Sequence, residues 1–195
     1  MTHAAMRIIH EEHRALAAML ESLRLIGERF GKGDRTAEDI HLMRAILFYI
    51  DEFPERMHHV KETEVLFPRL RERAPEAAHV LDHLDAQHER GEDSIRELEH
   101  LLLAYEQLGE PRLQDFLDAL RRYVTFYTEH MELEEAEMLP LAERKLSEDD
   151  WQAVNLAFAE NRDPLTGHKP SDEYVDLFDR IVAEAPAPIG LGRPR

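Results

Sequence analysis

Between His58 and Pro68 the chain reads HHVKETEVLFP, and between His130 and Pro140 it reads HMELEEAEMLP. Each phrase has a His, a Glu four residues later and a Pro ten residues after the His, and the two lie 72 positions apart (130 − 58). Around both, apolar residues recur at alternating steps of three and four, the period of a helix that buries one face. A chain written this way must fold into helices that carry His and Glu where they would otherwise bury Leu.

The same period runs through four long segments. The first spans about Thr2 to Phe30, with Met6, Ile9, His13, Leu16, Leu20 and Leu23 on one seam, and Gly31-Lys-Gly33 ends it. The second starts at Thr36, where TAED has the form of a capping box with Asp in place of Glu. Its seam is Met43, Leu47, Ile50, Pro54, His58, Glu62 and Val65, and because the pattern continues past Pro54, that residue is expected to kink the helix rather than end it. The third starts near Pro75 and carries Leu81, Leu84, His88, Gly91, Ile95, Leu98 and Leu102 up to the break at Gly109 and Pro111. The fourth runs from about Pro111 to Leu146 with Phe116, Leu120, Tyr123, Tyr127, His130, Glu134, Met138 and Leu141. Beyond it, SEDD caps a short helix with Trp151 and Phe158, the loop NRDPLTGHKP follows, and Ser171–Ala185 reads as a second short amphipathic helix.

Four long helices joined by short loops predict an all-α fold, an up-down-up-down four-helix bundle over residues 1–146. Residues 147–185 are a helical extension packed on it, and 186–195 an extended tail. The chain reads as a helix pair written twice.

The formal net charge of −17 argues against nucleic acid and anionic membrane as partners. With no Cys, disulfides, thiolate metal sites and Cys nucleophiles are excluded. The N-terminus MTHAAMRIIHEEH does not read as a signal peptide, and no run reaches the length of a membrane span, so a cytoplasmic protein is expected.

Of 12 His, four occupy seam positions, one per long helix: His13, His58, His88 and His130. With alternating helix directions all four fall at a similar depth, roughly 15–20 Å from one end. Glu62 and Glu134, at i+4 from two of them, point into the same region. A buried carboxylate costs several kcal/mol unless paired, and no Lys or Arg occupies a matching seam position. A metal would satisfy all six. They exceed the ligand count of one tetrahedral zinc and suit two ions with bridging carboxylates, with iron, manganese or zinc all compatible by ligand type. Of the others, His59 is expected behind a ligand or exposed, His10 is the spare candidate, and His3, His41, His79, His83, His100 and His168 are expected to point away. Glu-x-x-His also occurs at Glu55/His58 and Glu97/His100, the spacing of ferritin-like sites, but the two pairs are not expected to meet.

HEEH at 10–13, HHVKETEVLFP at 58–68, QHERG at 87–91 and HMELEEAEMLP at 130–140 together resemble the hemerythrin-type HHE cation-binding domain, over about residues 1–146. The resemblance implies a bundle holding a non-haem pair of irons. His13, His58, His88 and His130 would be terminal ligands, and Glu62 and Glu134 bridges beside an oxo or hydroxo group. Oxygen-carrying members have a fifth His where this chain has Leu84, and an Asp where it has Glu135. The four-His, two-Glu set is more similar to bacterial proteins linked to repair of iron centres under nitrosative and oxidative stress, which usually carry a Cys-containing segment that this chain lacks. The function expected is binding or reduction of dioxygen, nitric oxide or peroxide, with Leu84 and Tyr127 keeping the ligand pocket small. The alternatives are a sensing module that docks a protein partner or a second copy of itself, and a structural zinc or mixed-metal site.

Overall fold

The computed structural model describes residues 3–160, 163–168 and 172–185, so the tail expected over 186–195 and the start of the last helix at Ser171 lie outside the described residues. Its elements are α1 (Ala4–Gly31), α2 (Ala37–Ile50), α3 (Phe67–Arg73), α4 (Ala78–Leu108), α5 (Leu113–Leu133), α6 (Leu139–Lys145), α7 (Glu148–Ala159) and α8 (Val175–Glu184). No strand occurs among the described residues. The chain is helical without interruption from α2 to α3, and again from α5 to α6. It therefore has four long rods, and Pro54 does not end the second of them. α1 packs on α2 and α5, and α4 packs on the same two.

Local chemistry accounts for the ends. Thr36 accepts from the Asp39 N–H while Asp39 accepts from the Thr36 N–H, and Ser147 and Asp150 repeat the arrangement at α7. Gly109, at φ 75°, takes the chain out of α4 in a conformation that Gly adopts without strain.

The two rods that carry the repeated phrase share a distortion. Wide π turns cover Asp51–His59, Glu62–Leu66 and Glu134–Met138. The Phe67 N–H bonds back to the Glu62 carbonyl, and the Leu139 N–H to that of Glu134, five residues each. Pro68 and Pro140 follow at once. Proline brings no N–H, so the carbonyl four residues earlier loses its α-helical partner and the ladder can widen there. The extra residue per turn shifts the buried face by one position. Val65 and Leu141, expected on the seam, are only half-buried, and Leu66 and Ala142 take their places at 0% exposure.

Two apolar layers fill the interior. One gathers Leu16, Leu23, Ile50, Phe53, Ile95, Tyr127 and their neighbours, and the other Met6, Ile9, Phe67, Leu84, Met138 and theirs. Along every rod the seam His lies between residues of the two layers: Ile9 and Leu16 flank His13, and Leu84 and Ile95 flank His88.

α7 rests on α1, where the Ala5 N–H donates to Asn155 Oδ1 at 2.8 Å and His3 stacks on Trp151 with ring centroids 4.2 Å apart. His3, expected in solvent, is thus partly covered. α8 rests on α2, with Phe178 edge-on to Tyr49 and Phe53. No helix among the described residues is long and apolar enough to cross a membrane.

Trp151 is 1% exposed in the second layer. Trp151→Ala is expected to cost about 3–5 kcal/mol, read as a fall in the urea midpoint with little change in slope.

Candidate metal centre

His13 comes from α1, His58 from the wide stretch after α2, His88 from α4 and His130 from the last turn of α5, while Glu62 and Glu134 each open a wide turn. The structure brings all six expected residues together. Ligating atoms of His13, His58, Glu62 and Glu134 lie within 4.8 Å of one another, as do those of Glu62, His88, His130 and Glu134. Both glutamates belong to both groups. Each is fully buried, and every one of the six is at most 7% exposed.

The inward atoms lack protein partners. His58, His88 and His130 Nε2 and all four carboxylate oxygens of Glu62 and Glu134 are buried with no hydrogen bond among the described residues. They nevertheless crowd together: His13 Nε2 is 3.2 Å from Glu134, His130 Nε2 is 3.4 Å from Glu134, and His58 Nε2 and His88 Nε2 are 3.4 and 3.5 Å from Glu62. A native interior rarely tolerates so many unpaired polar atoms in one place.

The outward nitrogens are all engaged, each by a residue from a different rod. His13 Nδ1 meets Glu135 Oε1 at 3.0 Å, His58 Nδ1 meets Glu12 Oε2 at 2.7 Å, and His130 Nδ1 meets Gln87 Oε1 at 3.0 Å. His88 Nδ1 lies 2.9 Å from Thr63 Oγ1, whose single proton goes to Asp85 at 2.9 Å. The Thr63 oxygen therefore accepts from His88. All four acceptors keep the proton on Nδ1 and turn the Nε2 lone pair inward, the arrangement that orients metal-binding imidazoles.

His59 takes the buried one of its two expected places, behind a ligand rather than exposed. It is 4% exposed, stacks on His88 at 4.4 Å between centroids, and has a ligating atom within 4.8 Å of those of His88 and His130. The wide turns rotate successive side chains less than an α-helix does, so both His58 and His59 face the interior. His59 Nδ1 is 3.1 Å from Glu55 Oε2, and both Tyr123 and Tyr127 donate to Glu55 Oε1. Burial pushes the Glu55 carboxyl up to about 8 and His59 well down. Burial thus favours the protonated form of Glu55. With Oε1 taken by the tyrosines, Oε2 is left to orient the His59 ring through Nδ1. The only sequence signal for His59 was the doublet HH itself. Glu12, Thr63, Gln87 and Glu135 were equally hidden, although each adjoins a seam His or Glu in the chain.

The other His behave more simply. His10 leans on Glu135 at 3.4 Å, outside the cluster, and His41, His79, His83, His100 and His168 are exposed. Glu55 is bound up with the tyrosines and His100 is exposed, so the two Glu-x-x-His pairs form no site.

The family model of the hemerythrin HHE cation-binding domain matches residues 4–142. The chain belongs to this family. No match to a curated protein was found. A cation-binding domain of the HHE family needs donors free of protons and of protein partners, and the unpaired inward atoms fit that requirement. Without a cation the cluster must hold protons instead. Burial, and then repulsion from Glu134, push the Glu62 carboxyl well up. Burial opposes ionisation of Glu134 too, but the surrounding imidazoles hold it well down. Burial alone would lower His13, yet its contacts with Glu134 and Glu135 outweigh this and raise it to about 9. Burial lowers His130 to about 4.

Two expectations follow from this geometry. Burial raises the Glu62 carboxyl, and contacts with Glu134 and Glu135 raise His13, against its burial, to about 9, so metal uptake is expected to displace protons from the cluster. A lightly buffered metal-free sample should acidify on metal addition, and apparent affinity should rise as pH is raised toward about 9. Separately, a Cβ at Gly91 would overlap Tyr127 Oη. Gly91→Ala should destabilise by about 1–3 kcal/mol, and adding Tyr127→Phe should recover part of the loss in a double-mutant cycle by chemical denaturation.

Proposed function

We propose that this protein holds two iron ions and uses them to bind or reduce a small oxidant: dioxygen, nitric oxide or peroxide. The observation that carries the reading is the set of unpaired, fully buried carboxylate oxygens of Glu62 and Glu134, shared by two overlapping groups of imidazoles. His13 and His58 would hold one ion, His88 and His130 the other with His59 beside them, and the two glutamates would bridge. An iron pair supplies one-electron chemistry and a coordination position for a small ligand. The chain supplies the rest: Nε2 lone pairs held inward by acceptors on Nδ1, and two apolar layers that keep bulk water from the cluster.

A cavity beside His13 and His58 supports a small-ligand pocket on that side. Leu84 packs in the second apolar layer and Tyr127 is tied to Glu55. The cavity, of about 10 Å³, lies against His13 and His58 and is lined also by Glu12, Leu16, Phe53, Pro54, Met57 and Asp163. That is room for about one water-sized molecule. Having two imidazoles on this side and three on the other supports the His13/His58 ion as the one that takes the ligand.

The same reading includes alternating rod directions. The order of layers along α1 and α4 is the reverse of that along the α2–α3 and α5–α6 rods, which supports an up-down-up-down bundle through residue 146 with an appended extension.

The test is metal per chain, by elemental analysis of protein from iron-replete cells, with an optical spectrum of the same sample. About two irons per chain, with near-ultraviolet absorption that bleaches on reduction and changes with nitric oxide, is the expected result. The doubly substituted Glu62→Ala/Glu134→Ala protein should lose both iron and band. A single zinc per chain, or folded wild-type protein that takes up no metal, would overturn the reading.

A further inference from the structure

The loop after α7 carries Asp163, outside the residues that the family model matches. Its carboxylate is 4% exposed and reaches into the bundle. Oδ2 accepts from the hydroxyl of Tyr49 at 2.6 Å, across 114 positions of chain, while Oδ1 accepts from the Leu165 N–H at 2.9 Å. The Thr166 hydroxyl donates to the Asp163 carbonyl at 2.8 Å. Tyr49 is itself fully buried against Phe53 and Phe178. The bond to Tyr49 is buried and that to Leu165 is partly buried. One carboxylate oxygen thus ties the loop to α2 through Tyr49, the other braces the loop on itself, and Asp163 lines the cavity beside His13 and His58.

The remaining lining explains why this position matters. Leu16, Phe53, Pro54 and Met57 are apolar, and Glu12 is committed to His58 Nδ1. All the lining residues except Met57 are buried. Among the described residues, Asp163 is the one lining residue that comes from the extension rather than from the rods.

We propose that Asp163 is a specificity-determining residue of the ligand cavity: held by Tyr49, it closes the His13/His58 side so that only the smallest ligands fit. The inference rests on the small-ligand reading above. Closure here is a matter of volume. Removing the side chain should open the cavity, whereas an amide of the same size, its one oxygen accepting from Tyr49 and its NH2 giving up the bond from the Leu165 N–H, should keep it filled although the charge is gone.

Cyanide and thiocyanate carry the same charge and differ by a sulfur atom, so their relative affinity reports size. Iron-loaded, oxidised protein is titrated with each and followed by absorption. Asp163→Ala is expected to raise thiocyanate affinity relative to cyanide by about tenfold, equivalent to 1.4 kcal/mol, and Asp163→Asn to leave the ratio within about twofold of wild type. An unchanged ratio in folded Asp163→Ala, or an Asn variant that behaves like Ala, overturns the proposal.

If the wild-type protein binds neither anion, the small-ligand reading fails first. The closure is then read without iron, by xenon-dependent shifts of the Met57 methyl resonance. Shifts in Asp163→Ala and none in wild type or Asp163→Asn support it. Their absence in Asp163→Ala, or their presence in wild type, overturns it.

Discussion

Two carboxylates that face each other inside a protein need something between them. Glu62 and Glu134 have no exposure, and among the described residues neither forms an ion pair with Lys or Arg. Coulomb repulsion at such a distance, away from water, is worth several kcal/mol. A proton relieves part of it, and a cation relieves more. Much of the interior is arranged around this demand. Apolar layers above and below exclude water, and four rods each bring an imidazole to the gap.

Much of that was legible from periodicity alone. The seam, the four long rods and the six inward residues follow from spacing, because a helix converts spacing into direction with little freedom. The errors cluster where the spacing changes. Beyond Glu62 and Glu134 the turns widen, and the buried face passes from Val65 to Leu66 and from Leu141 to Ala142. His59, expected behind a ligand or exposed, is buried against His88, and the wide turns are what bring two consecutive residues to one inner face. The prolines that help to widen the ladder stood in plain view, but their effect reaches one turn back toward the N-terminus, where pattern reading takes no account of it.

Other features are hidden in principle. Glu12, Thr63, Gln87 and Glu135 look like ordinary polar residues beside a seam, and their partners come from other rods. The bond from Tyr49 to Asp163 spans 114 positions and depends on where the loop after α7 returns to the bundle. Periodicity describes each rod by itself and is silent about such returns. The loop read as a bland turn, although it contributes a wall to the cavity beside His13 and His58.

The four residues that hold the imidazoles share one more property: each is the immediate chain neighbour of a cluster residue. Glu12 precedes His13, Gln87 precedes His88, Thr63 follows Glu62 and Glu135 follows Glu134. One rod therefore presents, at adjacent positions, a donor for the centre and a brace for a donor on another rod. Adding or removing a single residue within a rod, on one side of this level, would rotate donor and brace together and spoil two helices at once. Changes in chain length are then harmless only outside the rods, at the loops and the C-terminal end, so the interior works as a ruler against which new segments can be appended but not inserted.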